Sequence, residues 1–175
     1  MVFKEDKFSK NWKEAQSSIA DFLKKNNFSV WQERRLENKR VDILAKREFK
    51  NKIFYLIFEV KHYNNVTPKA EENFLKQLTE YVKLFIKREL KRKKINNILA
   101  RYHIVGYLVF SKDYGIFLNR RKNWYKTDRI SENSQINNIW KKNVTLFCSS
   151  PKNIQKNLES VGLAFYSQSR LSDFF

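Results

Sequence analysis

One segment constrains the fold more than any other. Residues 52–61, KIFYLIFEVK, are apolar almost without interruption. A strand that is apolar on both of its faces is typical of a sheet that is covered on both sides. At 175 residues the chain has the size of one such domain. The segment therefore predicts a central strand with helices on either side of its sheet.

The remaining elements are predicted from the spacing of apolar residues and from turn residues. They are a helix at 8–25, strands at 28–34 and 40–47, a long helix at 68–94, a strand at 101–111, a short strand and loop at 116–126, a helix at 129–141, a strand at 143–148 and a helix at 151–162. Within 40–47, alternation places Val41, Ile43 and Ala45 on one face and Asp42 on the other. The order predicts an α/β fold with a mixed central sheet flanked by helices.

Composition narrows the classes of function. Lys and Arg number 36 against 18 Asp and Glu, a net charge of +18, which favours an anionic partner. Nucleic acid is the usual one, with a membrane surface or a merely solubilising charge as alternatives. The single cysteine excludes disulfide frameworks and cysteine-built zinc or iron–sulfur sites, and three isolated glycines exclude glycine-rich phosphate loops.

We expect a soluble, intracellular domain without a membrane partner. No apolar run approaches the roughly 18 residues of a membrane span, and the first residues lack the apolar stretch of a signal peptide. The densest basic runs are the predicted DNA contacts. They comprise Lys87, Arg88, Lys91, Arg92, Lys93, Lys94, Arg120, Arg121 and Lys122.

The apolar strand ends in charged residues. Glu59 and Lys61 are two residues apart and so point to the same face, where charge is costly unless it is paired or binds a ligand. A hairpin through 47–52 would bring Asp42 beside Glu59. Two converging carboxylates suit a hard cation such as Mg²⁺ or Mn²⁺, and a nearby lysine can orient or deprotonate a metal-activated water. A buried ion pair without chemistry is the alternative.

These residues resemble a known family. Asp42, followed after sixteen residues by Glu59-Val60-Lys61 on the adjacent strand, is similar to the motif of the PD-(D/E)XK nuclease superfamily, with Val41 in place of the family's proline. The resemblance implies a restriction-endonuclease-like αβββαβ core over 8–111 and Mg²⁺-dependent deoxyribonuclease activity. It also implies that Asp42, Glu59 and the Val60 carbonyl hold the metal, and that Lys61 positions the attacking water.

Two further motifs bear on the substrate. Gln77 and Tyr81 share a helix face and resemble the Gln-xxx-Tyr motif of RecB-like nucleases, which implies action on single strands or ends. In the first helix, Gln16 fits the register of Holliday-junction resolvases, and Glu14 is the nearest carboxylate; either could support the metal. A junction or branch nuclease would be a homodimer, because it cuts two strands related by a two-fold axis.

The tail forms a separate motif. Gln168, Leu171, Phe174 and Phe175 have the spacing of a PCNA-interacting peptide, which implies recruitment by a sliding clamp in replication, recombination or repair. It also implies the cytoplasm of an archaeal cell, in which a virus or plasmid could carry the protein, or a eukaryotic nucleus. We therefore divide the chain into a nuclease domain, 1–165, and a clamp-interacting tail, 166–175. A non-catalytic DNA-binding adaptor on the clamp is the alternative function.

Overall fold

The structure, a computed structural model, describes residues 2–62, 67–111 and 126–165, with only the backbone for 2–11. Its elements are α1 Val2–Lys25, β1 Ser29–Leu36, β2 Lys39–Phe49, β3 Lys52–Lys61, α2 Pro68–Leu90, α3 Ile95–Arg101, β4 Tyr102–Phe110, α4 Ser134–Asn143, β5 Val144–Ser149 and α5 Ile154–Ser160, with a 3₁₀ turn at Pro151–Asn153 before α5. The α/β class and the predicted order are confirmed. The predicted element at 116–126 lies outside the described residues except for its last residue.

The five strands form one mixed sheet in the order β1-β2-β3-β4-β5. β1, β2 and β3 are antiparallel neighbours, whereas β4 and β5 continue the sheet in parallel with β3. The β2–β3 hairpin is tight because Lys50 and Asn51 adopt left-handed φ angles of 49° and 65°, as a two-residue hairpin turn requires. The apolar segment at 52–61 is the central strand, as predicted.

Helices cover both faces of the sheet, which explains why β3 is apolar throughout. On β3, Leu56 and Phe58 pack in the cluster under α1 and α5, where Phe22 is fully buried. Ile57 packs in the other cluster, under α2, α3 and α4, where Phe85 is fully buried. None of the helices within the described ranges is long and apolar enough to cross a membrane.

The predicted helix at 68–94 is two helices in the structure. α2 ends at Leu90, where the Lys91 N–H bonds to the Arg88 and Glu89 carbonyls, and a turn leads into α3. Four consecutive cations, 91–94, repel one another across that turn, and α3 brings Ile98 into the core at 1% exposure. The sequence has no proline or glycine at this turn to mark a break. The apolar spacing alone therefore predicts one continuous helix.

One predicted strand face is wrong. Val41 belongs to the cluster under α2, whereas Ile43 and Ala45 lie in the cluster under α1. The β1–β2 pairing leaves out Glu33 and Asp42, between the pairs Gln32–Ile43 and Arg34–Val41, and Glu33 has a left-handed φ of 51°. The alternation of side chains is therefore interrupted at Asp42, the first of the candidate site residues.

Gly106 provides a test of this packing. It pairs with Ile57 in the middle of the sheet, and a Cβ atom there would lie 2.7 Å from Leu146 Cδ2 and 3.1 Å from Val82 Cγ2. We predict that Gly106→Ala lowers the free energy of unfolding by about 1–3 kcal/mol in urea denaturation, since overpacking outweighs the roughly 0.5–1 kcal/mol that alanine otherwise gains over glycine. A variant as stable as the wild type would contradict the close contact of β4, β5 and α2.

Candidate active site

Two carboxylates converge where β2 begins and β3 ends. The register pairs Ile43 with Phe58, so the next opposed pair is Asp42 and Glu59. Asp42 Oδ2 accepts a hydrogen bond of 2.7 Å from the Val60 N–H, which fixes the carboxylate at the end of β3. Asp42 is only 8% exposed and Glu59 only 5%. The structure thus brings together the two acidic residues that the sequence singled out.

Lys61 joins this pair and links it to α2. Its Nζ lies 3.0 Å from Glu59 Oε1, 4.7 Å from the centroid of the Phe74 ring, and 3.3 Å from Gln77 Oε1, to which it donates. The Gln77 amide in turn donates to the Tyr81 hydroxyl at 2.7 Å. A continuous line of polar contacts therefore runs from Tyr81 through Gln77 and Lys61 to Glu59.

The carboxylates are poorly balanced by positive charge. Burial, together with the neighbouring Asp42 and against the opposing effect of Lys61, raises the pKa of Glu59 to about 8. Burial also raises the pKa of Asp42, against the Val60 N–H and Lys61, which favour its charged form. Glu59 Oε2 is buried without a hydrogen-bond partner. The charge of one lysine does not offset the cost of ionising two buried carboxylates, so the pair favours keeping a proton.

The residues present fit a small divalent cation. Among the described residues no group of three or more His, Cys, Asp or Glu side chains could hold a metal ion, so the donor set here is two carboxylates and a main-chain carbonyl. Mg²⁺ keeps several waters and commonly uses only one or two carboxylates. The Glu59 Oε2 atom, which is buried without a hydrogen-bond partner, is a donor that such an ion could take.

Trp12 is a site residue that sequence reasoning missed. Its Nε1 donates to the Val60 carbonyl at 2.6 Å, the same carbonyl that the family resemblance assigns to the metal. A hydrogen bond from Trp12 also favours the charged form of Asp42 and so lowers its pKa. The three- and four-residue apolar spacing of α1 includes Trp12, and such spacing predicts a buried helix face, not a site residue. A carbonyl oxygen has two lone pairs, so one remains for a second ligand.

The two first-helix candidates are placed differently. Gln16 is 4% exposed, donates to Gln32 Oε1 at 3.2 Å, and keeps its own Oε1 buried without a partner. Glu14 is exposed, because residues two apart on a helix point about 200° away from each other. Glu14 therefore lies on the other side of α1 from Gln16, and a role for either residue at the metal stays a prediction. Gln16 lies four residues after Trp12, on the same face of α1.

Ser111 is a second residue that the sequence did not reveal. Its N–H and its hydroxyl both donate to the Lys61 carbonyl, at 2.9 and 3.2 Å, and its hydroxyl also contacts His62 Nδ1. Ser111 follows β4, whose parallel register places Phe110 beside Lys61. The backbone that carries Lys61 is therefore held from the neighbouring strand.

The predicted DNA contacts on α2 and its turn lie at the surface. Lys87 and Lys91 approach Glu37 at 3.6 and 3.8 Å, and Arg88 and Arg92 approach Glu89 at 3.5 and 3.8 Å. Lys93 and Lys94 are exposed. Several predicted residues lie outside the described ones: Arg120, Arg121 and Lys122, and the tail residues Gln168, Leu171, Phe174 and Phe175.

Comparison with known proteins gives no relative: no family model, curated protein or solved structure matches the chain. The residues of the site are therefore what indicates a function. They place two buried carboxylates beside one ammonium group at the end of a central strand, on a protein with a net charge of +18. Such an arrangement can bind a hard cation and a phosphate together.

The raised pKa of Glu59 predicts a pH-dependent stability in EDTA. The pKa of Glu59 is 4.5 in the unfolded chain and about 8 in the folded chain. Between these pH values only the folded state keeps Glu59 protonated. Folding is thus most favoured below pH 4.5 and loses this contribution as pH rises to 8. We predict that Glu59→Gln escapes this loss, and that its stability relative to the wild type rises across that range by about 1–4 kcal/mol.

Urea denaturation at a series of pH values measures this difference. Glu14→Gln, the same change at an exposed glutamate of α1, is the matched control. If the difference in stability between Glu59→Gln and the wild type does not change with pH, Glu59 is not held protonated in the folded protein.

Proposed function

We propose that the protein is a divalent-metal-dependent deoxyribonuclease of the PD-(D/E)XK type. The observation that carries the proposal is the group of Asp42, Glu59 and Lys61 at the end of β3, where both carboxylates are buried and the ammonium group lies 3.0 Å from one of them. The order of α1, three strands, α2 and β4 around this group agrees with the αβββαβ core that the resemblance implies. The positive net charge supports a nucleic-acid substrate.

Asp42, Glu59 and the Val60 carbonyl would hold Mg²⁺ or Mn²⁺. When bound, the ion supplies a Lewis acid that lowers the pKa of a water and stabilises charge on a phosphodiester oxygen. Glu59 must give up its proton to serve as a ligand, and Lys61 favours that ionised form. The hydrogen bonds from Trp12 and from the Val60 N–H keep the remaining donors in place.

Lys61 would orient the attacking water and stabilise negative charge near the phosphate. Gln77 and Tyr81 act as positioning residues for it, because Gln77 Oε1 accepts from Lys61 Nζ and the Tyr81 oxygen accepts from the Gln77 amide. Burial, with the charge of Glu59, raises the pKa of Tyr81 to about 12. The phenol therefore keeps its proton and can donate it to a phosphate or a water.

Asp42→Asn tests the metal site. The variant keeps the shape of Asp42 but loses its charge, so we expect cleavage of DNA with Mg²⁺ or Mn²⁺ to fall by about 10²–10⁴-fold, as loss of several kcal/mol of charge stabilisation requires. We also expect it to lose the rise in melting temperature that these ions give the wild type. Asp21→Asn, a change at an exposed aspartate of α1, is the matched control and should keep both properties.

The wild type should be assayed on single-stranded, duplex and branched DNA. Metal-dependent cleavage of none of them would refute the nuclease proposal and favour the clamp-bound adaptor. Cleavage of four-way junctions at symmetric positions would support the homodimeric resolvase, whereas degradation of single strands or ends would support the RecB-like alternative.

Recruitment by a PCNA-type clamp is the second part of the proposal, and the sequence of the tail supports it. Truncation after Phe165 leaves that ring stacked on Phe22, at 5.5 Å between centroids, and so keeps the core contact. We predict that this truncation abolishes clamp binding in titration calorimetry and leaves cleavage unchanged. The double change Ser169→Ala and Ser172→Ala, between the motif residues, should bind as the wild type does. Undiminished binding by the truncated protein would refute the motif.

A further inference from the structure

A groove lies on the face of the sheet that α2 covers, between the C-terminal end of α2 and the edge strand β1. Its volume is about 380 Å³, and Leu44, Tyr55 and Trp31 form its apolar part. Among the described residues, Trp31 is the one large apolar side chain that is exposed, at 39%. An exposed indole at the wall of a groove offers a ring face on which a flat ligand can stack.

The same groove is strongly basic. Its charged lining consists of five cations and one carboxylate: Arg34, Lys46, Arg88, Arg92, Lys93 and Glu89. Glu89 is engaged inside the protein, since its Oε1 accepts from the Tyr102 hydroxyl at 2.8 Å and its Oε2 lies 3.5 Å from Arg88 Nε. The cations therefore dominate the field that a ligand meets.

Two cations lie beside aromatic rings in this groove, and of these rings Trp31 is exposed whereas Tyr55 is buried. The Arg34 guanidinium lies 6.0 Å from the centroid of the Trp31 ring, and Lys46 Nζ lies 5.7 Å from that of Tyr55. Single-stranded nucleic acid is bound by this combination, with bases stacked on rings and phosphates held by cations. Duplex DNA keeps its bases stacked on each other, and an acidic peptide has no flat ring to stack. A single strand is thus the ligand that uses both features.

The groove adjoins the candidate active site. Leu44 is two residues from Asp42 on β2, a rise of about 7 Å. Along α2, Arg88 is seven residues from Tyr81, a rise of about 10 Å. The groove and the candidate site therefore lie on neighbouring stretches of β2 and α2.

We propose that this groove binds a single-stranded segment of DNA, with one base stacked on Trp31 and the adjoining phosphates on Arg34, Lys46 and Arg92. The inference deepens the proposed nuclease function and rests on it for the identity of the nucleic acid. It assigns to the enzyme a substrate that has an unpaired segment beside the scissile bond, such as a single strand, a flap or a frayed end, in preference to a fully paired junction.

Binding of a fluorescein-labelled twelve-nucleotide oligothymidylate, followed by anisotropy in EDTA, tests the proposal without cleavage. Trp31→Leu should weaken binding about 5- to 150-fold, the range for loss of one base–aromatic stack, while Trp31→Phe should stay within about threefold of the wild type. Arg92→Ala should weaken binding and reduce the slope of log affinity against log salt by about 0.7. Lys142→Ala, at an exposed position of α4, is the matched control and should change neither.

Four results would overturn the proposal. The first is unchanged oligothymidylate affinity in Trp31→Leu, and the second is an equal loss of affinity in this variant for a twelve-base-pair duplex. The other two are Trp31-dependent binding of the matching ribo-oligonucleotide that is tighter than that of the oligothymidylate, and Trp31-dependent binding of decaglutamate that is equally tight. Because no metal is present, the result is separable from the nuclease proposal. If the protein binds the oligonucleotide through Trp31 but never cleaves DNA, the nuclease proposal is refuted and the groove proposal stands. If the protein cleaves DNA but its binding does not depend on Trp31, the groove proposal is refuted and the nuclease proposal stands.

Discussion

The hydrogen bond from the Val60 N–H to Asp42 joins the end of β3 to the start of β2, and the candidate site depends on it. It holds a carboxylate in the protein interior directly beside Glu59. Two such groups repel each other and resist ionisation, so the fold here keeps an arrangement that costs stability. Lys61 offsets part of that cost from 3.0 Å. The remaining imbalance is the physical reason to expect a cation, and it underlies the nuclease proposal.

The surrounding structure keeps these groups in place from three directions. Trp12 of α1 donates to the Val60 carbonyl, Ser111 after β4 donates to the Lys61 carbonyl, and Gln77 of α2 accepts from the Lys61 ammonium group. Each contact comes from a different element of the core. Both faces of the central strand are buried, so its charged end is anchored to the core. Such anchoring favours a defined position for a reactive group.

The sequence predicted the central features because they depend on short-range rules. The two-residue period of a strand places Glu59 and Lys61 side by side, and the tight hairpin brings Asp42 opposite Glu59. The features it missed depend on contacts between distant segments. Trp12 meets Val60 across 48 residues and Ser111 meets Lys61 across 50, and neither contact leaves a local pattern. The change of face at Val41 was missed for a related reason, because it follows from the backbone of the neighbouring strand.

A divalent-cation site at Asp42 and Glu59 can be tested by titration calorimetry with Mn²⁺ at pH 7. Measurements in two buffers of different ionisation enthalpy count the protons released on binding. With the pKa of Glu59 at about 8, we predict one bound ion per chain and release of close to one proton. The Glu59→Gln variant should release none. Absence of Mn²⁺ binding, or binding that releases no proton, would rule out this site.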